Sequence, residues 1–166
     1  RLYCAPGNAG IDAIAQCVAI DVTDVEGLLK FALEKKIDLT VVGPEVSLVA
    51  GVVDAFSKKG LKIFGPSQEA AQLEGSKVFC KDFMHRRNIP TAVYKVFDNP
   101  KAAIEFLHQA QFPIVVKADG VAAGKGVYVC KDLKEAEIAV DDMMVKKLFG
   151  AAGNRIVIEE CLEGQE

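Results

Sequence analysis

The sequence has no tryptophan, two histidines and five cysteines in 166 residues, and each scarcity removes a class of function. Cys4, Cys17, Cys80, Cys130 and Cys161 are odd in number, widely scattered and never spaced C-x-x-C. Neither a zinc ribbon nor a disulfide framework is expected from such a set. Cys130 and Cys161 stand in apolar runs and read as small hydrophobes. His85 and His108 fall in helical, charge-rich stretches, with no cysteine or carboxylate placed to complete a triad or a metal site. No metal ligand is therefore assigned. Twenty Lys and Arg against 23 Asp and Glu, with no polybasic run, argue against a nucleic-acid partner. No apolar stretch is long enough to span a bilayer, and "RLYCAPGNAG" carries no charged-then-apolar leader. The expectation is a cytoplasmic protein with no membrane partner.

What is present suits a globular chain. With 51% apolar and 26% charged residues, a core can form in one domain or two small ones. The first seventy-odd residues alternate short apolar runs with amphipathic stretches, the pattern of parallel strands joined by crossover helices. Strands are expected at "RLYCA", "DLTVV" and "LKIFG", and helices at "VEGLLKFALEKK" and "SLVAGVVDAFSKKG". Val49, Val52, Val53 and Phe56 form one helical stripe, and Gly60 ends that helix. The turns "APGNAG" (5–10) and "GPE" (43–45) follow strands, where open α/β sheets place ligands. A long helix from Gln68 to Arg87 is expected after Ser67 as N-cap. Beyond it the pattern mixes: "NIPTAVYKVF" reads as a turn and strand, and Asn99-Pro100 opens the helix "KAAIEFLHQAQ". "FPIVVKA" and "GVYVC" are strands, and Asp132 with Glu135 starts the helix "LKEAEIAVDDMMVKKLFG". "RIVIEECLE" is a strand. The domain boundary is expected near Glu74-Gly75, dividing the chain into 1–74 and 75–166.

The richest stretch is "VVKADGVAAGKGVYV" (115–129). A Walker A loop needs four residues between its glycines and Ser or Thr after the lysine. Here Gly120 and Gly124 are separated by three, and Lys125 is followed by Gly126. The dinucleotide fingerprint G-x-G-x-x-G is also absent, and both of those loops open onto a helix, whereas this one opens onto "VYVC". The element is a strand-loop-strand flap whose glycines let backbone N–H groups approach phosphate oxygens. Lys125 adds charge at the tip, while Lys117 sits on the strand, two residues before Asp119. The alternative is a mobile hairpin carrying a solvated lysine. "IVIEECLEGQE" (156–166) offers backbone groups for an adenine and carboxylates for a ribose, and reads equally as an edge strand ending in a charged turn.

"QLEGSKVFCKDFMHRRNIPTA", "FPIVVKADGVAAGKGVYV" and "IVIEECLEGQE", in that order, resemble the ATP-grasp ligases. With "APGNAG" and "VVGPEVSLVAG" ahead of them, the whole chain is similar to the glycinamide ribonucleotide synthetase (phosphoribosylamine–glycine ligase) family of purine biosynthesis. The resemblance implies a Rossmann-like α/β parallel-sheet domain, incomplete at its N-terminal side, followed by the first part of an α+β ATP-grasp domain. It implies that Lys77 and Lys117 contact ATP at the phosphates or the adenine side, and that Gly120, Gly124 and Gly126 with the catalytic Lys125 cover the phosphates. Glu159, Glu160 and Leu162 would hold adenine, chiefly through backbone, and Glu166 the ribose. Pro6, Gly7 and Asn8, with Gly43, Pro44 and Glu45, would face the phosphoribosylamine. The implied substrates are ATP, glycine and 5-phosphoribosylamine, with Mg2+ held by ligands outside these residues. The chain is thus expected to be a fragment, inactive as a ligase by itself. The alternatives are another ATP-grasp carboxylate–amine ligase and a non-catalytic nucleotide-binding module.

Overall fold

A computed structural model describes residues 1–122 and 124–164. Two units separate by their internal contacts, Arg1–Gln72 and Leu73–Glu166.

In the first unit, β1 (Tyr3–Cys4) runs parallel to β2 (Gln16–Cys17), and β3 (Thr40–Val41) parallel to β4 (Ile63–Phe64). Parallel pairing is what the alternation of strands and helices anticipates. β2 was not expected, because two residues inside "AIAQCVAI" carry no readable period. Helix α1 (Val25–Lys35) starts where Asp24 accepts the Gly27 N–H at 2.9 Å, one of the donors a helix start leaves free. The core joins Ala32 of this helix to Val52, Val53 and Phe56.

The single helix expected over 47–60 is in fact two, α2 (Glu45–Val49) and α3 (Val52–Lys58). Gly51 between them adopts a left-handed φ of +88°, and the Gln68 side chain lies over it, donating to the Val49 carbonyl at 2.9 Å. The stripe therefore holds on α3, while Val49 belongs to the helix before the break. Gly60, at φ +71°, does end α3 as expected.

Ser67 caps α4 (Gln68–Gly75), accepting from Ala70 N–H at 3.3 Å. The helix expected to continue to Arg87 stops at Gly75. Ser76 is extended and caps a new helix, α5 (Lys77–Arg86), accepting the Phe79 N–H at 3.1 Å.

The second unit is built on a four-stranded antiparallel sheet in the order β5 (Tyr94–Phe97), β8 (Ile156–Glu160), β6 (Ile114–Ala118), β7 (Val127–Cys130). Helix α6 (Pro100–Leu107) opens on Asn99, whose Oδ1 accepts from Lys101 and Ala102 N–H. Helix α7 (Leu133–Val140) opens on Asp132, which accepts from Glu135 N–H, and Glu135 reaches back to Lys131 N–H. Both starts are those the sequence proposed. Leu107, Val140 and Met143 pack with Ile114, Val116, Ile156 and Ile158 in one core. Each fully buried side chain of this size contributes about 1.5–3 kcal/mol.

The helix expected from 133 to 150 ends at Val140 and passes into a π-turn, Asp141–Val145. Lys146 donates its N–H to the Asp141 carbonyl at 2.8 Å, and its ammonium bridges both aspartates. Gly153 explains the tight return, because any Cβ there would meet the Met143 carbonyl. Gly153→Ala is expected to lower stability by about 1–3 kcal/mol through this overpacking, read as a fall in the urea midpoint at constant slope.

Candidate functional site

Alternation along β6 and β8 sorts the sheet into two faces. Ile114, Val116 and Ala118, with Ile156 and Ile158, lie in the core cluster that α6 and α7 cover. Val115, Lys117, Val157 and Glu159 take the opposite face, toward α5, in the register Val115↔Glu159 and Lys117↔Val157. Because Ser76 starts α5 afresh, Lys77 is its first residue and Lys81 lies one turn later on the same side. A cleft of about 330 Å³ opens here, lined by Lys77, Lys81 and Lys117 with Glu74, Cys80 and Val157 among others.

The centre of this charge cluster is Glu159, only 6% exposed. Lys117 forms an ion pair with its Oε1, and Lys81 Nζ approaches Oε2 at 2.5 Å. The Lys81 approach is a charge contact, and Oε2 receives no well-directed hydrogen bond. Lys81 is itself buried, donating to Thr91 Oγ1 at 2.8 Å and the Ala92 carbonyl at 3.4 Å, beside the Tyr94 ring. Two cations on one buried carboxylate leave a net positive charge facing the cleft. Lys77 Nζ donates to the Gly120 carbonyl at 3.0 Å. Burial pushes its pKa below the ordinary lysine value of 10.5, and Lys117 pushes the same way, while Asp119 and Glu74 oppose.

The root of the flap is tied down. Asp119 Oδ1 accepts from Ser76 Oγ at 2.8 Å and Val78 N–H at 3.2 Å, and Oδ2 pairs with Arg155 at 2.6 Å. Gly120, at φ +125°, packs against Ala152, and the Gly126 carbonyl accepts from Ala118 N–H at 2.8 Å. Gly124 turns at φ +74°, and Lys125 stands exposed beside it. Strand, glycine-rich loop and strand therefore follow one another as the sequence indicated.

The structure thus brings Lys77 and Lys117 to one cleft, pairs buried Glu159 with Lys117, and sets Gly120 at the root of the flap beside Lys77. Glu160 N–H donates to the Val93 carbonyl and its carboxylate accepts from Val93 N–H, both at 3.0 Å. Leu162 is exposed beyond β8, and Glu166 lies outside the described residues. In the first unit, Pro6, Gly7 and Asn8 follow β1, and Gly43, Pro44 and Glu45 follow β3. Asn8 Oδ1 is spent on Gly10 and Ile11 N–H at 3.0 Å, which leaves its amide N–H groups for other partners. Gly43, Pro44 and Glu45 are exposed. Burial and the nearby Glu135 and Asp132 raise the Cys130 pKa to about 11, in keeping with a packing role.

Sequence reasoning missed Lys81, whose signal was its four-residue spacing from Lys77. It also missed Ser76, which the Gly-Ser pair at 75–76 could have marked as a helix stop followed by a cap. Among the described residues no three His, Cys, Asp or Glu side chains gather to hold a metal, and no helix is long and apolar enough to cross a membrane.

Two family models match end to end: phosphoribosylglycinamide synthetase, N domain, over residues 1–74, and phosphoribosylglycinamide synthetase, ATP-grasp (A) domain, over residues 75–166. The phosphoribosylamine–glycine ligase of Escherichia coli K12 is 58% identical over 99% of this chain and 39% of its own length. That of Caldanaerobacter subterraneus subsp. tengcongensis is 51% identical over 100% of this chain and 40% of its own. The crystal structure of the Thermotoga maritima phosphoribosylamine–glycine ligase superposes with a TM-score of 0.75 at 28% identity, covering 98% of this chain and 38% of that one. The chain therefore spans about 40% of the length of the curated relatives it matches.

Proposed function

The chain belongs to the phosphoribosylglycinamide synthetase family, and from that premise we propose that it serves an ATP-dependent ligase joining glycine to 5-phosphoribosylamine. In this reading glycine's carboxylate attacks the γ-phosphorus of ATP, the β,γ-bridging bond breaks and ADP leaves. The ribosylamine nitrogen then attacks the acyl phosphate, loses a proton and expels phosphate, leaving an amide. Phosphoryl transfer of this kind depends on positioning and charge more than on a protein nucleophile.

Residues 1–74 would supply the substrate side, with Pro6–Asn8 and Gly43–Glu45 facing the ribosylamine, and residues 75–166 part of the ATP pocket. Lys77 and Lys117 would meet ATP at its phosphates, and the loop 120–126 with Lys125 would cover them. The Glu160 carbonyl and Leu162 N–H would read adenine, and Glu166 would hold the ribose. Glu159, as a buried counter-ion, would act on the site mainly through Lys117. Mg2+, which would offset the triphosphate charge, would be held by ligands outside these residues, so no step here passes through it. The proposed setting is the cytoplasm, with small molecules as partners.

The carrying observation is the convergence of Lys77 and Lys117 on one cleft beside a glycine-rich flap. The protein at the full length of its relatives is expected to release ADP only when glycine and phosphoribosylamine are both present. ADP release with a different carboxylate and amine would instead assign another ATP-grasp reaction, and ATP binding without any release would assign a nucleotide-binding module.

The lowered pKa of Lys77 gives a pH signature. A phosphate would favour the protonated amine, so binding takes up a proton wherever the free protein has lost it. That window opens at the depressed value and closes at the higher one that a phosphate partner restores. ATP affinity should fall as pH rises through it. Adenosine affinity should stay level, and Lys77→Met should remove the difference; a flat ATP profile in calorimetry would detach Lys77 from the phosphates.

A further inference from the structure

We propose that Lys81 is a positioning residue that allows Lys117 to leave Glu159 for a phosphate group, an inference that rests on the nucleotide reading of the cleft. The three side chains differ in access: Lys117 is 26% exposed, Lys81 11% and Glu159 6%. A phosphoryl oxygen entering the cleft therefore competes with Glu159 for Lys117 and cannot reach far behind it. Were Lys117 the sole partner, its departure would strand a buried carboxylate, which is strongly disfavoured.

Lys81 removes that obstacle. An ammonium has three donors; Lys81 directs hydrogen bonds to Thr91 Oγ1 and the Ala92 carbonyl, and its charge lies against Glu159. Thr91 and Ala92 hold its head in place, so it cannot follow the ligand. Glu159 Oε2, which Lys81 approaches without a directed hydrogen bond, has acceptor capacity to spare. When Lys117 turns to a phosphate, the carboxylate can settle onto Lys81 and remain neutralised. Lys117 is thereby kept in reserve, charged and oriented, at small cost to its release.

The test compares dissociation constants for ATP and for adenosine in the full-length protein, because their ratio isolates the phosphate contribution from the base. Lys81→Met should weaken ATP about tenfold and leave adenosine within about twofold. Lys81→Arg, which keeps a cation behind Glu159, should stay within about threefold of the unsubstituted protein for ATP. Equal losses for both ligands, or a lowered melting temperature with an unchanged ratio, would mark Lys81 as merely structural and overturn the proposal. Should Lys81→Met not fold, Glu159→Gln is compared with the Lys81→Met/Glu159→Gln double variant. With the carboxylate neutral, Lys81 has nothing left to compensate, so the two ratios should agree within about twofold. A roughly tenfold lower ratio in the double variant would mean that Lys81 acts on the nucleotide itself and would overturn the proposal. An unsubstituted protein that binds no ATP overturns the nucleotide reading and this inference together. ATP binding with a ratio indifferent to Lys81 overturns this inference alone.

Discussion

Replacing Lys117 by Met is expected to weaken ATP binding about a hundredfold, equivalent to about 2.8 kcal/mol. Met keeps most of the aliphatic stem and loses the charge, so its place beside the cross-strand Val157 is largely preserved. The fold should survive because Glu159 retains Lys81, which contacts its other carboxylate oxygen. If Lys117 meets the phosphates as proposed, what disappears is a charge-assisted contact, a stronger interaction than its neutral counterpart. Calorimetry with ATP and adenosine side by side reads the result. A loss confined to ATP places Lys117 on the phosphates, and equal losses place it on the base. An ATP affinity within threefold of the original would sink the assignment of Lys117 to the nucleotide.

Asp119→Ala should have the largest effect on the flap. The carboxylate is 6% exposed as a side chain and joins Ser76, the Val78 N–H and Arg155 in one node. Removing it leaves buried donors without an acceptor, at about 2–4 kcal/mol in total. Arg155 is half exposed and re-solvates, so its share is small. Asp119→Asn keeps an acceptor for Ser76 and Val78 and should cost about 1 kcal/mol. Urea unfolding of the two variants separates these outcomes, and equal destabilisation would contradict the node described. Lys77 sits beside the node and donates to the Gly120 carbonyl. Asp119→Ala should therefore also weaken ATP more than adenosine, as the start of α5 drifts from the flap.

Local signals carried well from sequence to structure. Asn99 with Pro100, Asp132 with Glu135, Ser67 and Gly60 each do their work within four residues of chain, so the expected starts and stops are present. The strand-loop-strand character of 115–129 was readable for the same reason. The helical period runs on across the breaks at Gly51, Ser76 and Asp141, and the Gly-Ser pair at 75–76 is the local mark of the second. At two of them the cause is remote: the Gln68 side chain lies over Gly51, and Gly153 lies under Met143. The candidate site divides in the same manner. Lys117 and Lys125 announce themselves in a short motif, whereas the spacing of Lys81 from Lys77 gives its helix side but not its partner, Glu159, which β8 supplies. Pairing across strands far apart in the chain leaves no mark in either strand's own pattern. In Asn8 and Glu160 the structure showed which polar atoms are already occupied, information that residue type alone does not carry.

The antiparallel match of β6 to β8 also acts as a parity rule on the gene. Lys117 meets Glu159 only because both fall on the odd-numbered side of their strands. Codons added or lost between 119 and 155 leave that parity untouched if the intervening loops absorb them. A single codon inserted inside 114–118 or 156–160 inverts it, sending an ammonium or a carboxylate into the layer occupied by Val116 and Ile158. For this one pairing, then, a change of length matters inside the two five-residue strands and not in the loops between them.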